Sequence, residues 1–235
     1  MSDEEYIKNN IEDIRKRVGT AAVKSGRKPE DIRIIAVTKT VEEERIIKAI
    51  NAGISDLGEN RVQELLKKYD NINEPCNWHL IGHLQSNKVK YIIDKVTMIH
   101  SVDSIELLEE IHKKAEKAGR VIDILVQVNV AGEETKSGIA PEEVRQFLKE
   151  AAVYRNVKVK GLMTIAPFSE DPESVRPVFR ELHKIFIDIN KENIDNIDMA
   201  FLSMGMSNDF EVAIEEGANI VRIGTAIFGR RNYIA

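Results

Sequence analysis

The chain has 235 residues, 43% of them hydrophobic and 31% charged, which is the composition of an ordinary folded domain and excludes disordered and fibrous classes. A formal net charge of -5 gives no global electrostatic reason to bind nucleic acid or an anionic membrane. One cysteine, Cys76, cannot close an internal disulfide; with no secretory pattern in MSDEEYIKNN and no apolar run of membrane length, a cytoplasmic location is expected.

In chain order, an amphipathic helix comes first, with Ile7, Ile11, Ile14 and Val18 on one stripe, suited to closing the bottom of a barrel. Apolar, β-rich runs then appear at 32–39, 54–60, 77–82, 97–103, 122–129, 157–166, 197–205 and 219–228. Several are apolar almost throughout, as in DILVQV and NIVRI, which parallel strands buried on both faces require. Helical patterns follow at 41–52, 61–70, 86–95, 104–118, 141–153, 173–191 and 207–216. The clearest is the face formed by Val175, Val178, Phe179, Leu182, Ile185, Phe186 and Ile189. Strand and helix thus alternate, the pattern of a parallel α/β sheet. Eight strands in one undivided domain spanning 1–235 favour closure into a single (β/α)₈ TIM barrel with an extra N-terminal helix over an open doubly wound sheet.

The chemically distinctive residues fall at the carboxyl ends of these strands, where a barrel builds its site: Lys39, Glu59, Asn60, His83, Asn129, Thr164, Ser203 and Arg222. Lys39 ends the apolar run IIAVTK. A desolvated lysine there has a lowered pKa and can condense with an aldehyde, although position alone fits a solvent-facing lysine better. NIVRIGTAIFG places Arg222, Gly224 and Thr225 at the eighth strand's end, and the preceding loop SMGMSNDF supplies Ser207, placed like the cap of the next helix. Loops after the seventh and eighth strands commonly hold phosphate. Arg222 inside an apolar run needs a partner, either a carboxylate or a ligand ring nitrogen or phosphate. His79 and His83, four apart across a strand and turn, do not converge on a metal and read as packing or pocket-lining residues. No phosphate-binding G-x-x-x-x-G-K-[ST] loop and no G-x-S-x-G elbow occurs.

The segments AVTKT, DLGENRVQE, WHLIGHLQSNK, VNVAGEETKSG, KGLMTIAP and LSMGMSNDFEVAIEEGANIVRIGTAIFG together resemble the pyridoxal 5′-phosphate (PLP) homeostasis proteins over nearly the whole chain. The resemblance implies a barrel similar to the N-terminal domain of alanine racemase, with PLP held as a Schiff base on Lys39. It further implies phosphate contacts from Ser207, Gly224 and Thr225, Arg222 at the pyridine nitrogen, Asn60 lining the site and Met163 beside the ring. Lys136 matches a family motif as a second amine, although a solvated loop lysine is the commoner reading, as it is for the Glu133–Glu134 and Arg230–Arg231 pairs.

Alanine-type racemases carry a second domain with a tyrosine acid/base, which this sequence is not expected to supply; Tyr233 does not match it. A cation at the pyridine nitrogen also weakens PLP as an electron sink. The expected role is therefore a non-catalytic, monomeric carrier or buffer of PLP, with apo PLP-dependent enzymes as acceptors. An amino-acid racemase and a cofactor-free Schiff-base aldolase are the alternatives.

Overall fold

A computed structural model describes residues 1–133 and 136–229. Arg230, Arg231 and Tyr233, and Glu134 of the Glu133–Glu134 pair, lie outside the described residues. Eight parallel strands close into a barrel in sequence order: β1 (Arg33–Val37), β2 (Asp56–Glu59), β3 (Asn77–Leu80), β4 (Met98–Val102), β5 (Ile122–Gln127), β6 (Val157–Met163), β7 (Ile197–Ser203) and β8 (Ile220–Ile223). The helices are α1 (Asp3–Lys24), α2 (Glu43–Asn51), α3 (Val62–Asn71), α4 (Ile105–Lys117), α5 (Val144–Ala151), α6 (Arg176–Asn190), α7 (Phe210–Glu215) and α8 (Thr225–Phe228). Closure is direct: Ile35 of β1 sits opposite Asp56 of β2 on one side and opposite Arg222 of β8 on the other.

Two layers of side chains account for the alternation of residues along the strands. Outward positions such as Leu57, Ile99, Ile124 and Leu162 join the helices in one large buried cluster, while Met98, Leu125 and Met163 form a separate, smaller one. The lumen is tight: a side chain added at Gly58 would press within 3 Å of Ile35 and Ile81, so a glycine is required there.

The structure changes three sequence-based expectations. The first helix does not close the bottom of the barrel. It starts at a Ser2–Glu5 capping box and packs against α2, α7 and α8 with Ile7, Ile11, Ile14 and Val18 buried. The reason is geometric: α8, only four residues long, cannot cover the seam between β8 and β1, and α1 stands in that gap. The predicted eighth strand stops at Ile223, because TAIF turns into α8 directly after Gly224. Between β3 and β4 the predicted helix is a 3-10 segment, Ser86–Tyr91, followed by turns. Among the described residues no helix is long and apolar enough to cross a membrane.

Candidate functional site

At the carboxyl ends of β1, β7 and β8 lies a cavity of about 450 Å³. Lys39, Ser207, Arg222, Gly224 and Thr225 all line it, together with Phe168 and Asp209. Five of the seven residues singled out from sequence are thereby brought to one hollow from positions up to 186 apart in the chain. Asn60 lines a neighbouring cavity of about 330 Å³ with His83, Asn129 and Lys136. Met163, fully buried, packs in the barrel interior against Met98 and Leu125 and is not part of either lining.

Lys39 is half-buried, two residues past the end of β1, and its neighbours are pinned on both sides. Thr38 Oγ1 donates to Glu59 Oε1 at 2.6 Å, and Thr38 O accepts from Lys68 Nζ at 2.6 Å. On the other side the Thr40 amide, in the left-handed region at φ 59°, donates to the Glu64 carboxylate. Lys68 ties the set together, donating also to Glu59 Oε1 and Glu64 Oε1, each at 2.7 Å. Thr38 and Glu59 are wholly buried and Lys68 nearly so. Burial pushes the Glu59 carboxyl above its usual range even beside Lys68 and Thr38, and its Oε2 has no partner. Sequence reasoning missed Lys68, although the signal was present: it shares the spacing of Val62, Leu65 and Ile72, the buried face of α3.

Arg222, 4% exposed, donates through Nη1 to Ser203 Oγ at 2.6 Å and through Nη2 to Thr164 O at 2.8 Å. Burial lowers its pKa to about 10, which leaves it a cation at neutral pH. A guanidinium carries five donors, so further donors of the fork are available to a ligand in the cavity it lines. Asp209, the carboxylate in that lining, is raised by burial against the pull of the Met206 amide and of Arg222.

Ser207 is not the cap of the next helix; the capping position belongs to Asp209, whose Oδ1 accepts from the Met206 amide. Instead Ser207 Oγ accepts from the amides of Gly224 and Ala226 at 3.3 and 3.2 Å, stitching the loop after β7 to the turn after β8. Glycine at 224 has a packing reason, since a Cβ there would sit 3.2 Å from that of Val37. The resulting corner presents the Ser207 hydroxyl, whose oxygen already accepts two amides, and the exposed Thr225 in one turn, in a cavity that a buried guanidinium and an amine also line. Such a hollow suits a small planar molecule with an anionic end and a carbonyl.

The two histidines separate. His79 is buried in the barrel interior, bonded to Asp56 and His100, whereas His83 is exposed at the mouth and 4.0 Å from Asp103. Lys136 pairs with Glu133 at 2.6 Å on the rim of the neighbouring cavity. Among the described residues no group of three or more His, Cys, Asp or Glu is placed to hold a metal ion.

The sequence profile of the alanine racemase N-terminal domain matches residues 3–232. The chain is 48% identical over 221 residues to the pyridoxal phosphate homeostasis protein of Aquifex aeolicus, covering 94% of this chain and 96% of that one. A solved structure of an unknown protein from Bifidobacterium adolescentis superposes with a TM-score of 0.91 at 34% identity, covering 96% of each chain. PipY of Synechococcus elongatus, solved with PLP bound, superposes with a TM-score of 0.83 at 30% identity, covering 95% of this chain and all of that one.

Proposed function

This chain belongs to the pyridoxal phosphate homeostasis proteins of the alanine racemase N-terminal domain family, and from that premise we propose that it holds PLP covalently on Lys39 and serves inside the cell as a carrier or buffer of the cofactor. The observation that carries this reading is that Lys39, Arg222, Ser207, Gly224 and Thr225 line one cavity. The residues fit the group: an amine for the aldehyde, a guanidinium for the pyridine nitrogen, and the Ser207–Gly224–Thr225 corner for the phosphate. When bound, PLP supplies an aldehyde that condenses with the Lys39 amine and releases water, a linkage that water or a competing amine reverses.

The protein's own groups favour holding over turnover. Arg222 keeps its charge, and facing the ring nitrogen it would disfavour protonating that nitrogen and leave the ring a weak electron sink. Phe168, 80% exposed on the lining, and half-buried Lys39 leave the cavity open to an approaching acceptor. Lys136 on the neighbouring rim, paired with Glu133, would offer a second amine to compete for the aldehyde. All these groups come from a single chain, as a monomeric carrier needs.

Protein loaded with PLP and freed of excess cofactor is expected to restore the activity of an apo PLP-dependent enzyme, while showing no racemase or transaminase activity itself. Turnover of a free amino acid at about 1 s⁻¹ or faster would replace the carrier with an enzyme. The phosphate corner has a separate test. Pyridoxal without its phosphate forfeits two or more charge-assisted hydrogen bonds and is expected to bind on the order of 100-fold more weakly. Equal affinities would remove the corner from the site.

A further inference from the structure

Four hydrogen bonds run in line through the barrel, ending at the cavity. Asp56 Oδ1 lies 3.0 Å from His79 Nε2, and His79 Nδ1 lies 3.0 Å from His100 Nε2. His100 Nδ1 lies 3.1 Å from Ser203 Oγ, which also accepts from Arg222 Nη1 at 2.6 Å. His100 is on β4 and Ser203 on β7, strands that are not neighbours in the sheet, so their contact crosses the lumen. His79, His100 and Ser203 are all wholly buried, away from competing water.

With both imidazoles neutral, the two ends set the direction of every bond between them. Burial works to raise the Asp56 pKa, but hydrogen bonds from His79 and Ser55 outweigh it and hold the carboxyl below its usual range. An ionised carboxylate only accepts, so His79 Nε2 carries a proton. At the other end a guanidinium only donates, so Ser203 Oγ accepts from Arg222 and its own hydrogen is free for His100 Nδ1. His100 Nδ1 is then an acceptor, its proton sits on Nε2, and that N–H donates to His79 Nδ1. Each ring nitrogen is used once. Burial first, then the proximity of His79, Arg222 and Arg33, holds His100 well below an ordinary histidine, which agrees with a neutral ring.

We propose that His100 is a positioning residue for the cofactor: by accepting the Ser203 hydroxyl hydrogen it keeps the serine oxygen turned as an acceptor toward Arg222, and so holds the guanidinium in place to meet the pyridine nitrogen of PLP. Removing the imidazole leaves the Ser203 hydroxyl hydrogen without its acceptor in a dry interior, and the serine then reorients at the expense of the Arg222 bond. The proposal rests on the PLP reading above and deepens it.

The test has two arms on the full-length protein. In the first, nitrogen NMR of histidine-labelled protein without cofactor reads the tautomers. His100 is expected as a neutral ring with its proton on Nε2 from roughly pH 6.5 to 8, giving that proton to His79 Nδ1. A His100 proton on Nδ1, or an imidazolium in that range, overturns the chain's direction and the proposal with it. In the second, binding is measured for PLP and for an analogue in which carbon replaces the ring nitrogen. The unaltered protein is expected to prefer PLP. His100→Leu is expected to shrink that preference roughly tenfold, the scale of one hydrogen bond to a charged group, with little change for the analogue. His100→Gln, whose amide can give to His79 and accept from Ser203, is expected to restore it. Should His100→Leu fail to fold, Ser203→Ala removes the same link with little change of volume and carries the same expectation. Equal weakening of both ligands means a purely structural histidine and overturns the inference alone. No preference in the unaltered protein overturns Arg222 as the ring-nitrogen partner, and the inference falls with it.

Discussion

Lys39→Ala is expected to abolish borohydride-stable attachment of PLP and the yellow colour of the loaded protein, because among the described residues no other amine lines the cavity beside Arg222, Ser207 and Thr225. Alanine keeps the backbone and leaves the tethers on Thr38 and Thr40 in place, since those use Glu59, Lys68 and the Glu64 carboxylate rather than the Lys39 side chain. The fold should therefore survive, and thermal unfolding checks that it does. Phosphate contacts persist in the variant, so weak, reversible and uncoloured binding is the expected remainder. The measurement is reduction with borohydride, digestion and mapping of the labelled peptide. Mapping to the peptide of Lys136 in the unaltered protein would move the attachment to the neighbouring cavity.

Lys68→Met is expected to lower folding stability by about 3–5 kcal/mol near neutral pH, the cost of stripping one partner from a buried ion pair. The methionine fills the volume but leaves Glu59 with only the Thr38 hydroxyl, and an Oε2 already without a partner. The sign of the pH dependence follows from burial, which holds the folded Glu59 pKa above the ordinary 4.5. Above 4.5 the unfolded chain gives up this proton while the folded chain keeps it, so stability falls as pH rises toward the folded value. Without Lys68 that value climbs further. The deficit of the variant should accordingly be small while both folded proteins keep the Glu59 proton and grow as pH passes the raised folded value of the unaltered protein, as read by denaturant unfolding at a series of pH values. Adding Glu59→Gln should recover part of the loss at the upper end. A deficit that does not change with pH would place the cost in packing instead. The Lys39 turn loses an anchor in the same variant, so weaker PLP loading should accompany the lost stability.

Much of the architecture and half of the site's logic can be read from one dimension. Apolar runs such as DILVQV alternating with amphipathic helices are local patterns, and eight repeats of them imply a parallel α/β sheet and favour its closure, which the structure then shows. Distinctive residues at the ends of those runs, Lys39 and Arg222 above all, point to a site on the carboxyl face because strand ends map directly to barrel ends. Family resemblance added the cofactor.

Three things needed the third dimension. TAIF reads as strand because its residues are apolar in either form. Only the tight approach of Gly224 to Val37, and the amides it turns toward Ser207, shows why the chain leaves the sheet there. Helix α1 carries a clear stripe, but a stripe says that a face is buried and not against what; the shortness of α8 decides that it walls the barrel's seam. In sequence Lys68 looks like a surface lysine and His100 like any strand residue, while His79 and Ser203 stand out without a partner to name. Hydrogen bonding between partners up to 103 positions apart, across a closed lumen, makes them the support of Lys39 and Arg222. Periodicity records which side of an element faces inward, so the sequence by itself determined the elements, their order and the end of the barrel that bears chemistry. Which buried polar groups meet is set by strand register and barrel closure, and those are properties of the whole sheet that tertiary structure alone decided.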